Sequence, residues 1–206
     1  MNEFDLKAAE WDKNPVNWDR SIAIADEIKK LIPLNTDMAA LEYGAGTGIT
    51  SFLLKDYLKE ITLMDSSSEM VRIMNEKISR AEVKNLKTLN FDLEHKDYKE
   101  GKFDFVFTQM VLHHISDIEG IVKIFYNLLN PGGYLAIADL YSEDGSFHGE
   151  EFKGQKGFDI ELLSNLIKNQ GFIGISHRKC YVINKKVSET QTKQFDVFLL
   201  VATRSI

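Results

Sequence analysis

Short apolar runs alternate with amphipathic stretches along most of this chain. The runs have the length of strands, whereas the stretches between them carry apolar residues at helical spacing. Seven strands are predicted, over residues 38–43, 60–65, 86–91, 103–108, 133–139, 173–183 and 194–203. Five helices are predicted, over residues 17–32, 48–58, 67–81, 117–129 and 159–169. Strands that alternate with helices favour an α/β fold, in which helices cover both faces of a mostly parallel sheet.

Local signals mark several boundaries of these elements. Ser66 and Glu69 have the spacing of a capping box, which predicts the start of the helix over 67–81. The sequence Asn-Pro-Gly-Gly at 130–133 predicts a break before the fifth strand. The last two strands are joined by the polar residues 184–191 with no helix between them, so an antiparallel hairpin at one sheet edge is expected.

Composition excludes several classes of protein. The chain has 206 residues and a net charge of −6, and its basic residues are not clustered, which disfavours nucleic acid as a partner. Its one cysteine, Cys180, permits neither an intramolecular disulfide nor a cysteine-rich metal centre, and no metal site is predicted. The first residues do not resemble a signal peptide, and no apolar run approaches the ~20 residues of a membrane span, so a cytoplasmic location is expected.

The segment over 41–48, Leu-Glu-Tyr-Gly-Ala-Gly-Thr-Gly, carries the clearest chemical signal. It closes one apolar run and opens an amphipathic one, as a strand does when it passes through a loop into a helix. Such a loop presents backbone N–H groups and a positive helix end to a ligand. Asp65 ends the next apolar run, and the carboxyl ends of parallel strands meet at one edge of the sheet. This arrangement predicts a nucleoside-binding site.

Two common nucleotide motifs do not fit this loop. The dinucleotide pattern needs a glycine where Ile49 or Ser51 stands, depending on the starting glycine. The P-loop pattern needs a glycine at Ile49 followed by a lysine, and neither is present. The remaining pattern is an acidic residue, three alternating glycines, and a second acidic residue at the next strand end.

This pattern resembles that of the class I S-adenosylmethionine-dependent methyltransferases, and most closely the ubiquinone/menaquinone-type branch that acts on small molecules. Further segments match in order: Asp92-Leu93, the strand 103–108 with the residues 109–115 that follow it, and the turn 129–135. The resemblance implies a Rossmann-like, doubly wound seven-stranded sheet with an antiparallel last strand. It also implies one domain over 1–206, with a helical lid (1–35), a cofactor-binding core (36–140) and a substrate-side loop and hairpin (141–206).

In this family, the residues at these positions surround S-adenosylmethionine. The resemblance assigns the ribose to Asp65, the adenine to Asp92 and Leu93, and the amino-acid part of the cofactor to the glycine loop. Trp11 is expected to contact the cofactor from the lid. The full set of expected cofactor-binding residues is Trp11, Glu42, Gly44, Ala45, Gly46, Gly48, Asp65, Ser66, Asp92, Leu93, Thr108 and Gln109.

No catalytic side chain is assigned. Displacement at a sulfonium can be accelerated by alignment alone, and a base is needed only when the acceptor must lose a proton. The weak candidates for such a base are His113, Asp139, Tyr141 and His148. His113 and His114 are adjacent, and their side chains are expected to point in different directions.

Three functions are compatible with these residues. The leading hypothesis is an enzyme that transfers a methyl group from S-adenosylmethionine to a small molecule by in-line displacement. The alternative is an S-adenosylmethionine-binding regulatory protein or a non-catalytic subunit of a heteromeric enzyme. An aminopropyltransferase is less favoured, because the segment after the fourth strand lacks an acidic pair. The acceptor and the oligomeric state do not follow from the sequence.

Overall fold

The computed structural model describes residues 3–206, and seven strands form one mixed sheet. The strands are β1 (Ala39–Tyr43), β2 (Glu60–Asp65), β3 (Leu86–Asn90), β4 (Phe103–Gln109), β5 (Leu129–Leu140), β6 (Phe172–Lys186) and β7 (Thr192–Arg204). Their order is β3-β2-β1-β4-β5-β7-β6, and only β7 runs antiparallel to its neighbours. The expected Rossmann-like fold is therefore confirmed, including the hairpin of the last two strands.

Helices cover both faces of this sheet. They are α1 (Glu3–Lys7), α2 (Pro15–Leu31), α3 (Ile49–Leu54), α4 (Ser68–Arg80), α5 (Ile118–Leu128) and α6 (Ile160–Asn169). Buried residues of α2, α3 and α4 belong to one apolar cluster, and those of α5 and α6 to the other. Along β4, Phe105 and Phe107 face the first cluster and Val106 faces the second, because successive side chains of a strand alternate. In the part of the chain that the structure describes, no helix has both the length and the apolar character to span a bilayer.

Three predicted boundaries are wrong. Ser67, rather than Ser66, caps α4: its side chain accepts a hydrogen bond from the backbone N–H of Met70. The predicted helix 48–58 ends as an α-helix at Leu54 and continues as a 3₁₀ turn. The Asn-Pro-Gly-Gly segment at 130–133 lies within β5 as an irregularity, since the pairing of β4 with β5 jumps from Leu129 to Tyr134.

One buried carboxyl group joins β1 to α3. Glu42 is fully buried, and its Oε2 accepts hydrogen bonds from the backbone N–H and the hydroxyl of Ser51. Its Oε1 has no hydrogen-bond partner among the described residues. Burial raises the pKa of Glu42 to about 8, although the bonds from Ser51 favour the charged form. The folded protein therefore holds a proton on Glu42 at pH values where the unfolded chain has released it.

Phe105→Ala is expected to lower the free energy of unfolding by about 3–5 kcal/mol, because the side chain is fully buried and its ring stacks on Phe107 at 4.9 Å. Urea unfolding measures this loss. Leu162→Ala removes a leucine that is 69% exposed on α6 and should change stability by less than about 0.5 kcal/mol. Equal losses in the two variants would contradict the assignment of the core.

Glu42→Gln should flatten the dependence of stability on pH. Because the pKa of Glu42 is raised on folding, its contribution is complete below the unfolded pKa and is lost as pH rises through about 8. Between pH 6 and 8 this contribution falls by up to about 1.4 kcal/mol per pH unit. Urea unfolding at pH 6, 7 and 8 should show a shallower slope for Glu42→Gln than for the natural protein. Glu189→Gln, at an exposed position, serves as the control, and equal slopes in all three proteins would refute the prediction.

Candidate active site

The loop after β1 is shaped by glycines. Gly44, Gly46 and Gly48 all have positive φ angles, of 68°, 57° and 79°. A Cβ atom on Gly44 would lie 2.3 Å from the side chain of Val111, so this position excludes any larger residue. The backbone N–H groups of Gly44 and Ala45 donate to the carbonyl of Met64, which holds the loop against the end of β2.

Asp65, at the end of β2, is held by the same loop. Its Oδ2 accepts a hydrogen bond of 2.7 Å from the N–H of Gly46, and its Oδ1 accepts one of 2.8 Å from the N–H of Ser67. Burial raises the pKa of Asp65 to about 6, while these two bonds favour the carboxylate. A carboxylate offers about four lone-pair sites, so two remain after these bonds. Asp65 lines a cavity, and those sites are available to a ligand there.

The cavity has a volume of about 1020 Å³ and lies at the carboxyl ends of the parallel strands. This is the place where open α/β sheets bind their ligands. The expected cofactor-binding residues that line it are Trp11, Gly44, Ala45, Gly46, Asp65, Ser66, Asp92 and Gln109. Eight of the twelve expected residues thus converge on one cavity, and their binding of the cofactor stays a prediction.

Four of the expected residues do not line the cavity but support it. Glu42 and Gly48 anchor α3, with Gly48 at its N-cap. Thr108 is buried, and its hydroxyl donates to the carbonyl of Tyr43, which joins β4 to the end of β1. Leu93 is also buried, beside Asp92. Binding of the cofactor by these four residues, as by the eight that line the cavity, stays a prediction.

The N-terminal segment covers the glycine loop. Trp11 lies over Gly46, since a Cβ atom on that glycine would be 3.7 Å from the indole Nε1. Asp12 accepts a hydrogen bond of 2.5 Å from the hydroxyl of Thr47 and forms an ion pair of 2.7 Å with Lys77 of α4. These contacts fasten the segment before α2 to the loop and to α4.

A buried histidine and aspartate form a second polar group on the cavity wall. The Nδ1 of His113 lies 2.6 Å from Oδ1 of Asp139, and the backbone N–H of His113 donates to Oδ2. Asp139 also accepts from the N–H of Leu140. Both oxygens of Asp139 accept backbone hydrogen bonds, so the 2.6 Å contact is assigned as a hydrogen bond that Nδ1 of His113 donates. Its Nε2 is buried and has no hydrogen-bond partner among the described residues.

The four candidate bases are placed differently. His113 and His148 line the cavity, whereas Asp139 is fully buried behind His113. Tyr141 lies outside the cavity lining and packs edge-to-face on Phe198. The expectation that His113 and His114 point apart is wrong: a 3₁₀ turn over Leu112–His114 brings their ring centroids to 4.2 Å.

One cationic part of the cavity was not predicted from the sequence. Arg20 of α2 is 7% exposed and lines the cavity, and its Nε has no hydrogen-bond partner among the described residues. Burial lowers the pKa of Arg20 to about 10, and the charge of Asp139 opposes that shift. Arg20 precedes Ile24 and Ile28 at four-residue intervals and so lies on the apolar stripe of α2. An arginine in that position could have indicated a buried charge. Lys185 of β6 also lines the cavity, and no sequence signal marked it.

Comparisons with known proteins find methyltransferases. A family model described as "Methyltransferase domain" matches residues 41–137, which run from the glycine loop to β5. An uncharacterized methyltransferase of Schizosaccharomyces pombe is 30% identical over 148 residues, which cover 64% of this chain and 52% of that protein. The chain thus spans about half the length of this curated relative, and about 4% of a matching polyketide synthase-nonribosomal peptide synthetase of Aspergillus clavatus.

Two solved structures share the fold. A putative methyltransferase in complex with the Trm112 methyltransferase activator of Haloferax volcanii is 18% identical, with a TM-score of 0.77. The match covers 100% of this chain and 99% of that one. A phosphoethanolamine N-methyltransferase of Haemonchus contortus, bound to phosphomonomethylethanolamine and S-adenosylhomocysteine, is 16% identical with a TM-score of 0.71. That match covers 92% of this chain and 53% of the other.

The family model matches just under half of the chain, and the solved structures agree with it in fold. S-adenosylmethionine is the cofactor of such methyltransferases. Residues 41–137 are therefore similar to the S-adenosylmethionine-dependent methyltransferases, and the chain shares their fold.

Proposed function

We propose that this protein transfers a methyl group from S-adenosylmethionine to a small molecule bound in the same cavity. The observation that carries the proposal is the contact between Gly46 and Asp65. It fixes a carboxylate with free lone pairs beside a glycine loop, at the edge of the sheet where ligands of this fold class bind. A ribose diol fits such a group, since both of its hydroxyls can donate to one carboxylate.

The other cofactor contacts follow from the positions of the side chains. Asp92 lines the cavity near the end of β3, where it can receive the adenine amino group. Gly44 and Gly46 leave room for the amino-acid part of the cofactor, and Gln109 lines the same cavity. Residues 1–35 are proposed to form a lid, of which the structure describes residues 3–35, and in that part Trp11 covers Gly46.

When bound, S-adenosylmethionine supplies an electrophilic methyl group on a sulfonium that leaves as a neutral thioether. The protein's part is to hold the acceptor in line with that group and to exclude water. The Nε2 of His113 can accept a proton from the acceptor, because Asp139 holds the ring proton on Nδ1. An acceptor that carries a free lone pair would not need this base.

The lining of the cavity supports a small acceptor with an anionic group. Residues of the N-terminal segment help to line the cavity, and its volume of about 1020 Å³ suits a small ligand. Arg20 and Lys185 supply positive charge away from the glycine loop, and a buried guanidinium with an unpaired Nε favours an anionic partner. Phe4, Phe147 and Trp11 supply apolar surface for a ring or chain. An aromatic acceptor of the quinone type agrees with that surface.

Label transfer tests the proposal. Purified protein is mixed with methyl-labelled S-adenosylmethionine and with separate small-molecule, RNA and protein fractions of a cell extract. Label in the small-molecule fraction, with matching formation of S-adenosylhomocysteine, is the expected result. Label confined to RNA or protein would contradict the proposed acceptor class. Tight cofactor binding with no transfer to any fraction would favour the alternative, a regulatory or non-catalytic S-adenosylmethionine-binding protein.

Asp65→Ala should weaken the binding of S-adenosylhomocysteine by about ten- to a hundredfold, because charged hydrogen bonds to the ribose are lost. Isothermal titration calorimetry measures the change. Asp56→Ala provides the matched control, since the side chain of Asp56 is 79% exposed and pairs only with neighbouring Lys55 among the described residues. Unchanged affinity in a folded Asp65→Ala variant would show that the ribose binds elsewhere.

A further inference from the structure

Three histidines lie side by side on one wall of the cavity. His113 and His114 come from the 3₁₀ turn after β4, and His148 comes from the segment after β5. The ring centroid of His148 is 5.0 Å from that of His113 and 5.2 Å from that of His114. One nitrogen of each ring lies within 4.8 Å of the others. We propose that these three histidines bind a first-row divalent transition-metal ion, Zn²⁺ or a chemically similar ion.

Asp139 holds His113 in an orientation that suits a metal ligand. Metal-binding histidines commonly donate their second ring N–H to a carboxylate, which fixes the tautomer and strengthens the ligand. His113 makes that bond to Asp139 at 2.6 Å, and its Nε2 is buried without a hydrogen-bond partner in the described part of the chain. A buried acceptor with no partner is costly, and a metal ion would satisfy it.

The other two rings are positioned by aromatic neighbours. His148 stacks on Phe152 with centroids 4.0 Å apart, and His114 meets Phe4 and Phe152 edge-on at 5.2 Å each. The segment that carries His148 is tied to the turn by a hydrogen bond of 2.7 Å from the N–H of Gln155 to the carbonyl of His113. The loop and the turn are therefore already joined.

The ligand set indicates which ion would bind. Imidazole nitrogens suit Zn²⁺, Cu²⁺, Fe²⁺ and Ni²⁺, whereas Mg²⁺ and Ca²⁺ require oxygen ligands. Bonds of about 2.0–2.1 Å to a tetrahedral Zn²⁺ place ligand nitrogens about 3.3 Å apart. Closing the remaining distance requires a movement of His148, which is exposed although its ring stacks on Phe152. All three histidines line the cavity, which leaves the fourth position of the ion open toward it.

The open position suggests what the ion would do. An ion held there would draw an oxygen or nitrogen atom of the acceptor to the histidine wall and fix its orientation. This role rests on the proposed function and would replace that of His113 as a proton acceptor, because a metal ion on Nε2 occupies its lone pair. The binding of the metal itself does not rest on the proposed function. Metal binding and cofactor binding can therefore fail independently in an experiment.

Titration with Co²⁺ tests the site. Protein without an affinity tag is treated with a chelator, dialysed, and titrated with CoCl₂ while the visible absorption is recorded. One Co²⁺ per chain with the absorption of a four- or five-coordinate imidazole site is expected, and added ZnCl₂ should displace it. Absence of this signal in folded protein would overturn the proposal.

Variants locate the ion. His148→Ala should weaken Co²⁺ binding by about tenfold or more, and Asp139→Asn should weaken it by about 10- to 100-fold. His177→Ala, on β6 away from the cluster, should bind as the natural protein does. Circular dichroism checks that each variant is folded, and His148→Ala keeps the test decisive if Asp139→Asn unfolds. Equal binding by His148→Ala and His177→Ala would refute the site.

Calorimetry with S-adenosylhomocysteine on the chelated protein separates the two proposals. Binding of the cofactor product without metal, together with the loss of Co²⁺ binding in His148→Ala, is the expected result. If the wild-type protein binds Co²⁺ at the three histidines but does not bind S-adenosylhomocysteine, the proposed function fails and the metal site stands. If it binds S-adenosylhomocysteine and no Co²⁺, the metal site is refuted.

Discussion

The hydrogen bond from Gly46 to Asp65 joins the ends of two neighbouring strands, and the arrangement of the site depends on it. A parallel sheet brings these strand ends together, but only a left-handed backbone at the loop lets the N–H of Gly46 reach the carboxylate. The bond offsets part of the cost of burying Asp65 and aims the rest of its lone pairs at the cavity. The N-terminal segment then covers this loop through Asp12.

Buried polar groups recur around the cavity, and each connects two elements. Glu42 links β1 to α3, Thr108 links β4 to β1, and Asp139 links β5 to the turn that carries His113. Buried hydrogen bonds of this kind are costly to leave unmade, so they specify one arrangement of the strand ends. Buried hydrogen bonds therefore fix the strand ends below the cavity, whereas His148 is exposed.

Much of the fold was predictable because its signals are local. Apolar runs such as 60–65 became β2 with the same bounds, and the helix-free tail became the β6–β7 hairpin. Predicted boundaries were wrong where an adjacent residue of the same type could play the same structural role. Ser67 caps α4 in place of Ser66, since it is Ser67 whose hydroxyl reaches the N–H of Met70. The Asn-Pro-Gly-Gly segment stayed in the sheet because β4 pairs on both sides of it.

The sequence by itself determined the glycine loop and the two acidic strand ends, because these signals depend on spacing along the chain. The resemblance of this pattern to a methyltransferase family indicated the methyl donor. Only the tertiary structure decided the chemistry opposite the loop. It brought Arg20 from α2 and Lys185 from β6 to one cavity, and it placed His148 beside His113 and His114. Those residues are distant in sequence, and their meeting depends on how the helices and the last hairpin pack on the sheet.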